Sequence, residues 1–188
     1  LVALGAVLGL TALHAFDLVL GRGFQVWATL IKIAVILGFC AIGLTVEPAA
    51  GHLPLTPSEG TLDLVLGAPF ALALVYVSYA YSGWNAAAYV VDEVQQPQRT
   101  VPRALIHGTL LVTGLYLLLN LTFLRTIEGS ALPGTVEVGA LAAGHILGPQ
   151  GGAWLSLALS LLLASTISAM VLAGPRVLQA MGEDIPSL

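Results

Sequence analysis

Charge is what this sequence has least of. Only 9% of its 188 residues are charged and 57% are hydrophobic, where an ordinary soluble domain is roughly a quarter charged. The mean hydropathy is +0.95. That balance excludes an ordinary soluble domain and points to a bilayer protein. The six basic residues form no run, so a nucleic-acid face is excluded. A single cysteine, Cys40, excludes an internal disulfide and reads as a small apolar filler. The four histidines are scattered without ligand spacing, so no metal site or other cofactor is argued. No P-loop, nucleophile elbow or HExxH is present, and the apolar stretches hold no paired acid–base groups. An embedded enzyme would need such a pair. The chain opens at Leu1 without methionine, basic n-region or cleavage site, so its first apolar stretch reads as the tail of an earlier span. The expectation is an internal fragment.

What is present is a series of five apolar segments in one transmembrane domain, near residues 1–16, 24–45, 68–91, 104–124 and 153–173. The last four approach the ~20 residues that a spanning helix needs. Arg22, Arg99, Arg103 and Arg176 fall on one side of this pattern and Arg125 on the other. The excess of arginine predicts that 17–23, 92–103 and the C-terminal end are cytoplasmic. In the loop on the other side, Val136 to Leu147 carries apolar residues at helical spacing, despite Gly139 and Gly144. It reads either as a helix over the outer mouth or as a surface connector.

The third segment carries most of the chemistry. At its centre Tyr79-Ala-Tyr-Ser-Gly-Trp-Asn85 gathers hydroxyls, an amide, an indole and a glycine. Backbone irregularity at membrane depth is tolerated where it is buried in protein or lines a cavity. A helix broken near 82–85 would leave carbonyls at the end of its first half, where partial negative charge suits an ammonium group. Ser82-Gly83 would supply the permissive link. The competing reading is an unbroken helix in which Gly83 packs against a neighbour and Ser82 bonds back to its own turn.

Lys32 is the second signal. It lies about eight residues into its segment, roughly 12 Å deep at ~1.5 Å per residue, a poor position from which to snorkel. A lone ammonium there costs several kcal/mol unless it is paired, so neutral oxygens or groups on other spans are its expected partners. The fifth segment offers oxygens: Ser156, Ser160, Ala164 and Ser168 recur every four residues beside Ser165 and Thr166. Close helix packing is the competing reading for most of these serines. Asn120-Leu-Thr122 matches a glycosylation sequon but lies inside a span, where Asn120 is expected to bond to a neighbouring helix.

Three stretches carry a family resemblance: Tyr81-Ser-Gly-Trp-Asn-Ala-Ala-Ala-Tyr89, Asp92-Glu-Val-Gln-Gln-Pro-Gln-Arg-Thr-Val-Pro-Arg-Ala-Leu105, and Ala173-Gly-Pro-Arg-Val-Leu-Gln-Ala-Met-Gly-Glu-Asp184. Together they resemble amino acid permeases of the amino acid-polyamine-organocation superfamily, most closely the L-type amino acid transporter branch. The resemblance implies an all-α membrane protein with the inverted-repeat fold typified by the bacterial leucine transporter, here from part of span four to span eight. It implies substrate contacts by Tyr79, Ala80, Tyr81, Ser82, Gly83 and Asn85. Carbonyls around Tyr79, Ala80 and Ser82 would hold the α-ammonium, and Tyr79 would close over the substrate. Lys32 matches a lysine whose ammonium replaces a sodium ion in sodium-independent members, facing Ser165 and Thr166. Ser82 departs from the glycine of many relatives in that branch, and the span that binds the substrate carboxylate is absent from this stretch.

The implied function is secondary transport of amino acids by alternating access, through sodium-independent exchange or proton-coupled uptake. Polyamine or organic-cation transport within the superfamily is the alternative, followed by a channel or receptor-like bundle. The implied partners are an amino acid and the lipid bilayer. No cysteine in an outer loop points to a tethered accessory subunit.

Overall fold

The computed structural model describes residues 4–5, 7–9, 11–12, 18–52, 56 and 59–184. Most of the first apolar segment, 1–16, lies outside them. The described residues are helical apart from turns and one isolated antiparallel bridge, His52 with Glu128. From residue 18 on, six α-helices follow among the described residues: α1 (Leu18–Thr45), α2 (Thr61–Val65), α3 (Ala68–Ala80), α4 (Pro97–Thr126), α5 (Val138–Leu147) and α6 (Gly151–Asp184). A 3₁₀ segment, Ser82–Glu93, joins α3 to α4. The stretches Gly23–Thr45, Pro97–Thr126 and Gly151–Val171 are each long and apolar enough to cross a bilayer. The protein is a multi-pass, all-α membrane protein.

Several boundaries differ from the sequence reading for local reasons. α1 begins at Leu18, so residues 18–23 are helix rather than connection. The polar stretch after the third segment shrinks to Val94–Gln96, because α4 starts at Pro97. Proline suits a first helical position, where its missing N–H has no intrahelical partner to lose. The Gln96 carbonyl accepts the amides of Arg99 and Thr100, both at 3.0 Å. Pro102 sits inside this helix and α4 continues past it. α6 likewise passes Pro175 and ends at Asp184.

The chain divides into two compact units, Leu1–His52 with Leu115–Leu188, and Leu53–Gly114. In the first, α5 packs on α6, and α1 packs on both. Phe39, Cys40, Ile127, Ala142 and Ala143 form the buried centre. Phe39 and Phe123 meet edge to face with ring centroids 6.3 Å apart, a geometry worth ~0.5–1.5 kcal/mol beyond the area buried. Cys40 is fully buried in this cluster, where a small apolar side chain fits. α5 and α6 approach so closely that a Cβ on Gly151 would strike the backbone carbonyl of Ala143. Gly148, at φ 83°, supplies the left-handed turn between them.

One end of this unit is tied by backbone bonds. The Ala49 amide donates to the Arg125 carbonyl at 3.0 Å, and the Gly129 amide to the Gly51 carbonyl at 3.0 Å. His145 Nε2 lies 3.0 Å from the Glu47 carbonyl, joining α5 to the same end. The stretch read as a mouth helix or a connector is thus a helix with one face buried. Asn120 departs from expectation: its amide donates to Tyr116 O at 2.8 Å within its own helix.

Gly43 fixes the approach of α1 to its neighbours. A Cβ there would lie 2.5 Å from Thr122 Cγ2 and 2.8 Å from Ile146 Cδ1. Gly43→Ala is expected to destabilise the full-length protein by about 1–3 kcal/mol through overpacking. Gly38→Ala, with nothing within 4 Å of its Cβ, serves as the control that makes the same change in the helix without overpacking. Thermal unfolding of both variants in detergent measures the difference.

Candidate functional site

The third apolar segment is not one helix. α3 starts after Gly67, with Pro69 in its first turn, and runs for 13 residues to Ala80. At Tyr81 the backbone leaves α geometry (φ −101°, ψ 7°) and continues as 12 residues of 3₁₀ helix. Runs of 3₁₀ beyond 3–4 residues are uncommon because their hydrogen bonds are poorer, and within a helical stretch they often mark hinges. The break therefore falls just ahead of the 82–85 position read from the sequence. Of the two readings of Gly83, close packing is not the one observed: a Cβ there would meet nothing within 4 Å.

Short bonds hold the end of α3. The Tyr81 amide donates to Ser78 O at 3.2 Å, and Ser78 Oγ donates to Leu74 O at 2.9 Å. The Ser82 hydroxyl donates to the Tyr79 carbonyl at 2.8 Å, so it competes for that carbonyl with any incoming cation. Asn85 Nδ2 donates to the Tyr89 hydroxyl at 3.2 Å. Tyr81 is anchored sideways, its hydroxyl donating to Thr113 Oγ1 on α4 at 3.1 Å.

The candidate substrate residues separate into two sets. Ala80, Tyr81 and Gly83 line a hollow of about 250 Å³ with Trp84, Gly108 and Thr109 among its other walls. Tyr79, Ser82 and Asn85 do not line that hollow and are exposed, Tyr79 at 75%. Thr113 was not singled out from the sequence. The signal available was a lone hydroxyl within the apolar run Leu110 to Leu115.

Lys32 belongs to the other unit, nine residues past Gly23 and so roughly 14 Å along the helix at ~1.5 Å per residue. Its ammonium donates to Thr166 Oγ1 on α6 at 3.1 Å. Thr166, rather than Ser165, is the partner: Ser165 is buried and donates to Leu162 O at 3.3 Å. Ser160 likewise bonds back to Ser156 O, at 2.8 Å. Among the described residues no group of three or more His, Cys, Asp or Glu gathers to hold a metal ion.

The amino acid permease family matches residues 1–185. The chain belongs to that family. Among curated proteins, this permease chain is 28% identical over 187 residues to mouse solute carrier family 7 member 12, covering 94% of this chain and 39% of that protein. It is 27% identical over 179 residues to the serine/threonine exchanger of Bacillus subtilis (strain 168), covering 95% and 40%. It is 30% identical over 151 residues to mouse b(0,+)-type amino acid transporter 1, covering 79% and 30%. The permease chain thus spans about two fifths or less of the length of these relatives. No solved structure matches it.

Tyr81 and Thr113 form a side-chain bond that ties the break to α4. Tyr81→Phe and Thr113→Val are each expected to cost about 0.5–1.5 kcal/mol, and the double variant less than their sum. A double-mutant cycle on thermal stability reads the coupling, and full additivity would remove the bond from the account.

Proposed function

We propose that the permease carrying this chain is a secondary transporter that moves amino acids across a membrane by alternating access. The observation that carries the reading is the change from α to 3₁₀ geometry at Tyr81, in the middle of an apolar segment. Carbonyls at the end of α3 carry partial negative charge and suit an amino acid's ammonium. Binding sites in transporters of this kind form at discontinuous helices. Tyr79, Ala80, Tyr81, Ser82, Gly83 and Asn85 form this half of the site, with Tyr79 closing over the substrate.

Lys32 acts as a fixed cation joined to Thr166, with Ser165 behind it, in place of a bound sodium ion. This favours sodium-independent exchange or proton-coupled uptake. The arginine pattern supports residues 17–23, 92–103 and the C-terminal end on the cytoplasmic side of the plasma membrane. A serine/threonine exchanger and an amino acid transporter among the relatives support the substrate class.

Uptake of radiolabelled amino acids by the full-length protein in proteoliposomes tests this, with and without sodium and a pH gradient. Uptake is expected without sodium and is expected to fall by about tenfold or more in Lys32→Ala, a loss of ~1.4 kcal/mol in transition-state terms. Uptake of no amino acid overturns the substrate class. Undiminished uptake in Lys32→Ala removes the lysine from the mechanism.

A further inference from the structure

In the second unit the 3₁₀ segment Ser82–Glu93 and the first half of α4 run between the same two ends. One end is the connection Val94–Gln96, which turns the chain at Gln96, a left-handed non-glycine residue at φ 52°. The other is the bond from the Tyr81 hydroxyl to Thr113 Oγ1. From Pro97 to Thr113, α4 rises ~24 Å at ~1.5 Å per residue. The 12 residues of the 3₁₀ segment rise the same ~24 Å at ~2.0 Å per residue. As an α-helix they would rise only ~18 Å, about 6 Å too short to reach Thr113.

The segment's own sequence does not favour the longer form. Runs of 3₁₀ are rarely of this length, because their hydrogen bonds are poorer than those of an α-helix. No glycine or proline occurs from Trp84 to Gln96, so α geometry is open to it. Asn85 Nδ2 donates to the Tyr89 hydroxyl four residues on, a spacing that faces across one turn of α-helix. The bond to Thr113 is therefore what the longer form gains. A second hydroxyl lies one turn away: Thr109 precedes Thr113 by four residues, so both stand on one face of α4. Four residues are ~6 Å of α4, the length that the segment loses on conversion. The hollow of about 250 Å³ lined by Tyr81, Gly83, Gly108 and Thr109 leaves room for the ring to move.

We propose that Ser82–Glu93 is a link with two lengths. In the form described above it is 3₁₀, and Tyr81 rests on Thr113. In the other it is α-helix, about 6 Å shorter, and Tyr81 rests on Thr109. The step is a one-turn ratchet of the break along α4, a movement by which packed elements switch between discrete states. The change in twist, from ~120° to ~100° per residue, is taken up at Val94–Gln96, outside any helix. The ratchet rests on this segment and α4 alone, and its use in transport rests on the reading above.

The test is a pair of spin labels at Ser82→Cys and Gln95→Cys in the full-length protein in lipid nanodiscs, with its native cysteines, Cys40 among them, replaced by alanine. Double electron–electron resonance reads the distance along the segment, which a rigid bend at Tyr81 leaves unchanged. Two populations about 5 Å apart are expected, the longer in excess. Thr113→Val moves their ratio about fivefold toward the shorter, the worth of one hydrogen bond, and Thr109→Val moves it toward the longer. In a Tyr81→Phe background neither threonine substitution moves the ratio, since both bonds are gone. Thermal unfolding confirms that each variant is folded. A single distance in every variant overturns the proposal. So does a broad distribution without two peaks, or a shift in the same direction from both threonine substitutions. Amino acid uptake by the unlabelled protein is read separately. Its absence sinks the transport reading and leaves the ratchet, and a fixed distance does the reverse.

Discussion

Every backbone N–H and C=O in a hydrocarbon setting must find its partner within the protein, and the rest of this structure depends on that constraint. It makes the spanning segments helical and gives a departure from α geometry meaning. The departure at Tyr81 is managed with side chains. Ser82 answers the Tyr79 carbonyl, Ser78 bonds back to Leu74, and Tyr81 reaches across to Thr113. Of these hydroxyls, that of Ser82 occupies a carbonyl at the end of α3 itself.

In the first unit the constraint acts through close approach. Gly43 and Gly151 admit side chain and backbone where a Cβ would collide, and α5 is drawn onto α6 as a result. Dispersion over short distances is the main attraction available between helices in lipid, because lipid tails are as apolar as leucine. The backbone ties at Ala49, Gly51 and Arg125 then fix one end. Lys32 is the exception to this apolar economy, and its bond to Thr166 couples α1 to α6 by charge rather than by shape.

Membership in the amino acid permease family and the broken segment are mutually consistent, because the residues that carry the resemblance are also those where helix geometry changes. The α3 end offers carbonyl dipoles, while Lys32 offers a full positive charge beside Thr166.

The sequence by itself determined the class of protein, the long apolar segments and the unusual depth of Lys32, and it raised a break near Ser82 against the alternative of an unbroken helix. Each follows from composition, from length against bilayer thickness, or from one polar residue in an apolar run. Tertiary structure alone decided the partners. Nothing in the spacing of Ser165 and Thr166 says which hydroxyl meets Lys32, because that depends on the rotation of α6 about its axis. Thr113 became visible only when α4 brought it within 3.1 Å of Tyr81. The 3₁₀ geometry after Tyr81 was likewise illegible, since Ala86, Ala87 and Ala88 favour an α-helix by propensity. Local preferences act through chain neighbours, whereas these contacts join residues 32 and 134 positions apart, and packing decides which side chains meet.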